Sequence, residues 1–386
     1  MSYKSRSRKL DYPLHGQSLS SQAAENHFQS LRSQVFNKQG GGQQGNSSSN
    51  SSSSSGPIRC LAWNGPGSRV ACGYYDRSVK VWMPDHPDGH GMTDIKNAHD
   101  RPVESISWDP THADRVVSCA SDGTIKAWDA RAKTLLAETR NGHDNLVVRF
   151  SGDGRFLAVA TAKTDLIIIY RVRRPQKESG VTWGIEYLCQ FRENEEIYDL
   201  QWAENGSDTT YVLASGLGNG NVRIYRFDTI DVNTEKARTN PSSDEDLSEA
   251  VNKLANVYTL RGHRTAANCL NFDPKGKYLA VGSNEGIVSL WDLQNFICIK
   301  TFFKTDQAIS SLSITHDGTL IAVGSEGNTP IDIIHVESGK YLHSLPRQPS
   351  NGRPIVSWHP FKYTLAYIGD PSVLMIFGGT SSGHRS

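Results

Sequence analysis

Between Gly262 and Asp292 the chain reads GHRTAANCLNFDPKGKYLAVGSNEGIVSLWD, which brings together His263, Ser283, Glu285 and Asp292. These are the residue types of a hydrolase triad. A nucleophilic serine also needs an oxyanion hole and an exposed position, commonly on a strained strand-to-helix turn. Ser283 instead ends an apolar run, with no G-x-S-x-G around it. The spacing from acid to tryptophan in Glu285 and Trp291 recurs in Asp122 and Trp128, and again in Asp76 and Trp82. A constellation present in copies argues for a repeated structural job, because one active site needs no copies.

Other stretches invite chemistry and carry less of it. GLGNG, residues 216–220, echoes a dinucleotide loop but lies between two strand patterns with no helix after it, so a hairpin turn is expected. Asp85, His86, Asp88 and His90 crowd the segment DHPDGHG, where metal binding is chemically possible and a solvated polar loop is the expectation. P-loop, H-E-x-x-H and zinc-ribbon spacings do not occur. No enzyme, no cofactor, no metal and no small-molecule substrate are therefore expected. Two groups suit contact with partners. Arg171, Arg173, Arg174 and Lys177 lie in RVRRPQK, assigned to a loop after the third repeat, where guanidinium groups could meet phosphates or an acidic partner. Tyr74, Tyr75 and Arg77 fall at a turn between strands, a composition that suits interface hot spots. A solvated linker and packing within the repeat are the plainer accounts of the two groups.

The chain that must position these residues has 386 residues, enough for a substantial core, with 21% charged and 37% hydrophobic residues and a net charge of +1. That charge gives no ground for a nucleic-acid role from overall electrostatics. The six cysteines are scattered and mostly sit in apolar runs, which fits a reducing compartment. The amino terminus lacks the apolar core of a signal peptide, and no apolar run approaches the ~20 residues that span a bilayer. A soluble, intracellular protein without a membrane partner is expected.

Residues 1–57 read as an extension. Its basic cluster, with Lys4, Arg6, Arg8 and Lys9, is explained first by a solvated tail and second by a nuclear-import or nucleic-acid-contacting arm. Ala24, Phe28, Leu31 and Val35 stand at helical spacing, leaving open a short amphipathic helix or a strand that docks on the domain. The Gly/Gln/Ser tract that follows reads as a flexible linker. From residue 58 to 378 the chain repeats a three-strand unit seven times. The first strand of each copy ends at Trp63, Trp108, Phe150, Trp202, Phe272, Ile314 or Trp358. Most of these markers recur at the ~40–45 residues of a propeller blade, with wider gaps after Phe150 and Trp202. The expected fold is therefore all-β, a seven-bladed β-propeller. A fourth strand for each blade comes from the linking segment, but residues 379–386 are too few to supply one to the last blade. Ring closure is therefore expected to borrow a strand from the Phe28–Phe36 region. An insertion over 228–257 follows the fourth copy, where Ser243 could cap a short helix carrying Leu247, Val251 and Leu254 on one face.

The GH and AH dipeptides and WD endings, spaced as blades, resemble the WD-repeat propeller family. That resemblance implies a hydrogen-bonded brace in each blade, formed by a histidine, a serine or threonine, a turn acid and a third-strand tryptophan. His263, Ser283, Glu285 and Trp291 match those places, with glutamate where aspartate is usual. His99, Asp122 and Trp128 match them in the second copy, with Ala120 at the serine position. The later copies, with FDPKGKYLAVGS, VSLWDL, SITHDGTLIAVGSE, IDIIHVESGKYL and VSWHP, resemble the third-subunit family of the THO complex. This implies a nuclear, non-catalytic scaffold that supports messenger ribonucleoprotein assembly and mRNA export coupled to transcription. Its implied partners are the other THO subunits and a DEAD-box RNA helicase, with any RNA contact auxiliary. A WD-repeat adaptor of a chromatin-modifying or splicing complex is the second reading.

Overall fold

The computed structural model describes residues 20–36, 56–86, 92–175, 182–204, 210–228, 253–348 and 352–378. Among them, seven antiparallel four-stranded sheets are arranged in chain order. Blade 1 consists of Ile58–Trp63, Val70–Tyr74, Val79–Trp82 and Thr93–Ile95, and blade 2 of Val103–Trp108, Arg115–Ala120, Thr124–Asp129 and Thr134–Arg140. Blade 3 uses Asn145–Phe150, Phe156–Thr161, Leu166–Arg173 and Gly184–Arg192, and blade 4 uses Ile197–Trp202, Thr210–Leu217, Asn221–Asp228 and Lys253–Arg261. Blades 5 and 6 follow with Ala267–Phe272, Tyr278–Ser283, Ile287–Asp292 and Ile297–Phe303, then Ile309–Ile314, Leu320–Ser325, Ile331–His335 and Tyr341–Leu345. The first strands touch one another in cyclic order, and that of blade 1 meets that of blade 7, so the ring is closed.

Blade 7 has Val356–Trp358, Leu365–Asp370 and Val373–Phe377 from its own repeat, and its outer strand is Ser33–Phe36, paired antiparallel with Val373–Phe377. Both alternatives for the extension thus occur, one after the other. Ser20 caps a helix over Ser21–Gln29, where Ala24 and Phe28 are buried, and the strand begins four residues later. Val35 lies on the strand and is exposed rather than on the helix face.

An isolated blade has two apolar faces and cannot bury either alone. Accordingly the core divides into seven clusters, each shared by two neighbouring blades. In six blades the first strand carries a bulge near its start, as between Ile58 and Cys60 or Val103 and Ser105. A bulge adds twist, which a radial stack of sheets needs.

Hydrogen bonds cross all seven seams. Trp63, Trp108 and Trp202 each donate an indole N–H to the first strand of the preceding blade, at Ser357 O (2.9 Å), Ala62 O (2.9 Å) and Arg149 O (3.1 Å). Phe150 and Ile314 have no such donor. There the backbone N–H donates instead to Ser107 Oγ (3.1 Å) and Asn271 Oδ1 (2.8 Å) of the preceding blade. Trp358 N donates to Ser313 Oγ (2.9 Å), and Leu270 N to Asp199 Oδ2 (2.9 Å), completing the circle.

Candidate interaction surfaces

The triad-like residues lie inside the blades. In blade 2, Trp128 Nε1 donates to Ser118 Oγ at 2.9 Å, and Ser118 Oγ lies 2.7 Å from His99 Nε2. His99 Nδ1 is 2.7 Å from Thr124 Oγ1, which donates to Asp122 Oδ1 at 2.5 Å. The chain of donors runs one way from indole to carboxylate. The other oxygen of Asp122 accepts from Asp100 N at 2.8 Å. Burial pushes the Asp122 carboxyl up, but the hydrogen bonds from His99, Thr124 and Asp100 outweigh it and hold the group well below the usual carboxylate range.

Blade 5 corrects the expected brace. His263 Nε2 lies 2.7 Å from Ser289 Oγ, which accepts from Trp291 Nε1 at 2.8 Å. Ser283 is not part of it, for its hydroxyl bonds Ile287 O (3.1 Å) and Ile287 N (3.3 Å) and pins the hairpin. Ala120 is likewise not the serine position of blade 2, because Ser118 supplies that hydroxyl. Strand register explains both. Ser118 faces Lys126 across the pair, and Val281 faces Ser289 at the corresponding pair of blade 5. The hydroxyl has crossed from the second strand to the third and still reaches the same histidine. One link is lost, since Ile287 stands where blade 2 has Thr124. His263 Nδ1 has no hydrogen-bond partner and lies 3.6 Å from Glu285 Oε1. Burial lowers the His263 pKa, against the pull of Glu285. In blade 1, Asp76 Oδ1 accepts from Ser78 N at 3.0 Å and so ties its own turn, while Trp82 packs against Phe36 of the closing strand. Asp292 accepts from Gln294 N and Asn295 Nδ2 and shapes the following turn.

The first strands enclose a central channel of about 830 Å³. Arg149 donates to Ser105 Oγ at 2.8 Å and pairs with Asp199 at 3.4 Å, and Asp199 also accepts from Leu200 N and Leu270 N. Four blades are thereby tied along the channel wall, and these polar groups serve the ring. Burial raises the Asp199 pKa, and Arg149 opposes the shift.

Among the described residues of the basic group, Arg173 and Arg174 are engaged by carboxylates. Arg171 and Arg173 belong to the third strand of blade 3 rather than to a loop. Arg173 pairs with Glu186 at 2.6 Å. Arg174 donates to Asp109 Oδ1 and Gly154 O, both at 2.9 Å, and joins blade 3 to the turn of blade 2. Arg171 is half-buried, and Lys177 lies outside the described residues. The aromatic group divides as well. Tyr74 is buried in the core shared with blade 7, with Lys80 Nζ 4.4 Å from its ring centre, and is not a surface residue. Tyr75 and Arg77 are exposed, and Arg77 takes a left-handed φ of 71° at the turn.

GLGNG forms a hairpin turn. A Cβ on Gly216 would lie 2.4 Å from Ala267 O of blade 5, and Gly220 has a φ of 84°. Both glycines answer to backbone packing. Asp85 and His86 are exposed, whereas Asp88 and His90 lie outside the described residues, as do Lys4, Arg6, Arg8, Lys9, Ser243, Leu247, Val251 and residues 379–386. Leu254 is placed on the outer strand of blade 4, opposite Phe227, and not on a helix.

The sequence matches the family described as WD domain, G-beta repeat, over residues 47–83, 92–129, 254–292 and 296–329. It is 29% identical over 336 residues to THO complex subunit 3 of Arabidopsis thaliana, covering 84% of this chain and 93% of that protein. WD repeat-containing protein AAC3 of Dictyostelium discoideum is 30% identical over 345 residues, with 82% of this chain and 64% of the relative covered. Protein TEX1 of Saccharomyces cerevisiae is 22% identical over 75% of this chain and 60% of the relative. Among solved structures, the Cps50 (Swd1) beta-propeller domain of Myceliophteria thermophila superposes with a TM-score of 0.64 at 15% identity, covering 85% of this chain and 97% of that domain.

Proposed function

The chain is a seven-bladed WD40-repeat β-propeller similar to THO complex subunit 3, and we propose that it is a non-catalytic scaffold subunit of a THO complex. The observation that carries this reading is the span of the likeness, 93% of that relative. A likeness confined to single blades would be shared by any WD-repeat protein. The geometry agrees with scaffolding. The triad-like side chains are consumed within blades, and the channel-wall charges are tied to one another, so the loops and rim are left for contact. On this reading the protein works in the nucleus, supports messenger ribonucleoprotein assembly and mRNA export, and meets the other THO subunits and a DEAD-box RNA helicase. Tyr75 and Arg77 are the proposed protein contacts. Any RNA contact through Arg171 and its neighbours is auxiliary, because Arg173 and Arg174 already have carboxylate partners.

Affinity purification of the tagged full chain followed by mass spectrometry tests the assignment. Recovery of THO subunits is expected, with the helicase at lower occupancy. Recovery of chromatin-modifying or splicing subunits without any THO component would overturn it in favour of an adaptor in those assemblies.

A further inference from the structure

An asparagine followed by glycine is prone to cyclise, because glycine puts no side chain in the path of its own nitrogen. The chain has five such pairs, beginning at Asn64, Asn141, Asn205, Asn219 and Asn351, of which Asn205 and Asn351 lie outside the described residues. The fold protects two of the other three. Asn64 is fully buried, its amide donates to Ser68 Oγ at 3.2 Å and Ala113 O at 2.9 Å, and its Oδ1 accepts from Arg69 N at 2.9 Å. After Asn219 the Gly220 nitrogen, the atom that would attack, already donates to Leu217 O at 3.0 Å. Gly220 is also packed so closely that a Cβ there would lie 2.4 Å from His263 O.

Asn141 differs on each count. It is half-buried in the loop from blade 2 to blade 3, while Gly142 is exposed, takes a left-handed φ of 75° and has open space beside it, since a Cβ there would meet nothing within 4 Å. Among the described residues the Gly142 nitrogen has no acceptor. His143 N donates to Asn141 Oδ1 at 3.0 Å, so a backbone donor already faces the oxygen that would turn negative when Cγ is attacked. The same side chain is a joint. Its Nδ2 donates to Asn145 Oδ1 at 2.7 Å, and the buried Asn145 Nδ2 of blade 3 donates to Thr124 O of blade 2 at 3.3 Å. Tyr170 holds in blade 3 the third-strand place of Trp128. Burial raises the Tyr170 pKa to about 12, and a hydrogen bond with Asn141 opposes the shift.

We propose that Asn141, followed by Gly142, is a site of spontaneous deamidation, and that the reaction loosens the joint between blades 2 and 3. Hydroxide takes the Gly142 amide proton and the nitrogen attacks Asn141 Cγ. The new N–Cγ bond displaces Nδ2, which takes a proton from water and leaves as ammonia. Water then opens the succinimide at either carbonyl, giving aspartate or, with the main chain rerouted through the side-chain carbons, isoaspartate. A carboxylate keeps the oxygen that meets His143 N but has no donor for Asn145 Oδ1. If Asn145 turns its amide round to serve the carboxylate, its own oxygen faces Thr124 O instead. Either way two acceptors meet, and isoaspartate also lengthens the loop by one carbon. The reaction needs only this chain and water, so it does not depend on the THO assignment.

Peptide mass spectrometry of the folded full chain, aged in mildly alkaline buffer, tests the site. Asn141 is expected to deamidate about tenfold or more faster than Asn64 and Asn219, a factor that one hydrogen bond's worth of barrier supplies. Isoaspartate is expected in excess of aspartate, as opening of a succinimide gives. In urea the three rates are expected to converge, since each asparagine precedes a glycine. Equal rates in the folded protein, a ratio that survives in urea, or aspartate as the sole product would each overturn the proposal. Hydrogen–deuterium exchange tests the joint. Asn141→Asp is expected to raise amide exchange severalfold across 121–124 and 145–148 while blades 5 and 6 keep their protection. The aged parent protein, which folded before it reacted, is expected to show the same rise in proportion to its deamidated fraction. Exchange unchanged in both would overturn the loosening.

Discussion

Ser289 holds two buried partners at once, the Trp291 indole and the His263 ring. Ser289→Ala leaves both short of a partner, so a loss of about 1–3 kcal/mol is expected in urea unfolding. Adding Val281→Ser returns a hydroxyl to the place Ser118 occupies in blade 2, and recovery of at least half of the loss is expected. Failure to recover would mean that the two strand positions are not equivalent donors. Ser283→Ala touches one hairpin only and is expected to cost less. The buried histidines also set a pH dependence. Burial brings His359 down to about 4, with Lys362 adding to the effect, and lowers His263 as well. The unfolded chain takes up protons at these rings below about pH 6.5, while the folded chain resists. The His359 contribution is therefore complete above that pH and falls on acidification toward pH 4, by up to ~1.4 kcal/mol per pH unit, and His263 adds a fall in the same direction. Denaturant midpoints measured from pH 7 to 4 check this, and a flat profile would refute it.

Among elements, the helix and closing strand at Ser21–Phe36 make the most of the fewest residues. Phe28 packs its ring against Trp358 at 6.2 Å and Phe377 at 5.9 Å, and Phe36 reaches Trp82 of blade 1. Phe28→Ala is expected to cost about 3–5 kcal/mol, read as a lower thermal midpoint. Deleting residues 1–36 is expected to expose the edge of blade 7 and to promote association, seen by light scattering. A deletion variant that stays monomeric and equally stable would argue that the strand is ornamental. Repeats and ring size were legible in the sequence because Trp63, Trp108, Trp202 and Trp358 recur at one strand position. The position of Ser289 was not. Period-two alternation puts the second-strand residues Val281 and Ser283 on one face, and only cross-strand register reveals that the hydroxyl has moved to a facing strand. The pairing of Arg174 with Asp109 was equally hidden, since residues far apart in sequence carry no local signal of contact. Tyr74 and Tyr75 differ by one residue and face opposite ways, which a turn motif read without its pleat cannot resolve.

At the scale of the whole molecule the ring is a closed series of similar joints, and each joint is weaker than their sum. Asp199 serves two of them by meeting Arg149 and the Leu270 amide from neighbouring blades. Asp199→Ala leaves the half-buried Arg149 without its carboxylate and the buried Leu270 amide without its acceptor, so a loss of about 1–3 kcal/mol is expected, with one cooperative transition. A small loss, or two separate transitions, would show that the blades do not share their stability. The closing strand has a further consequence in time. Ser33–Phe36 leaves the ribosome long before its partner Val373–Phe377 is made. At typical synthesis speeds the two are separated by tens of seconds. During that interval the nascent chain is an open fan with two unsatisfied edges, whatever blades have already formed. Birth is thus the protein's most vulnerable moment, when a chaperone or an early-binding subunit would have the most to protect.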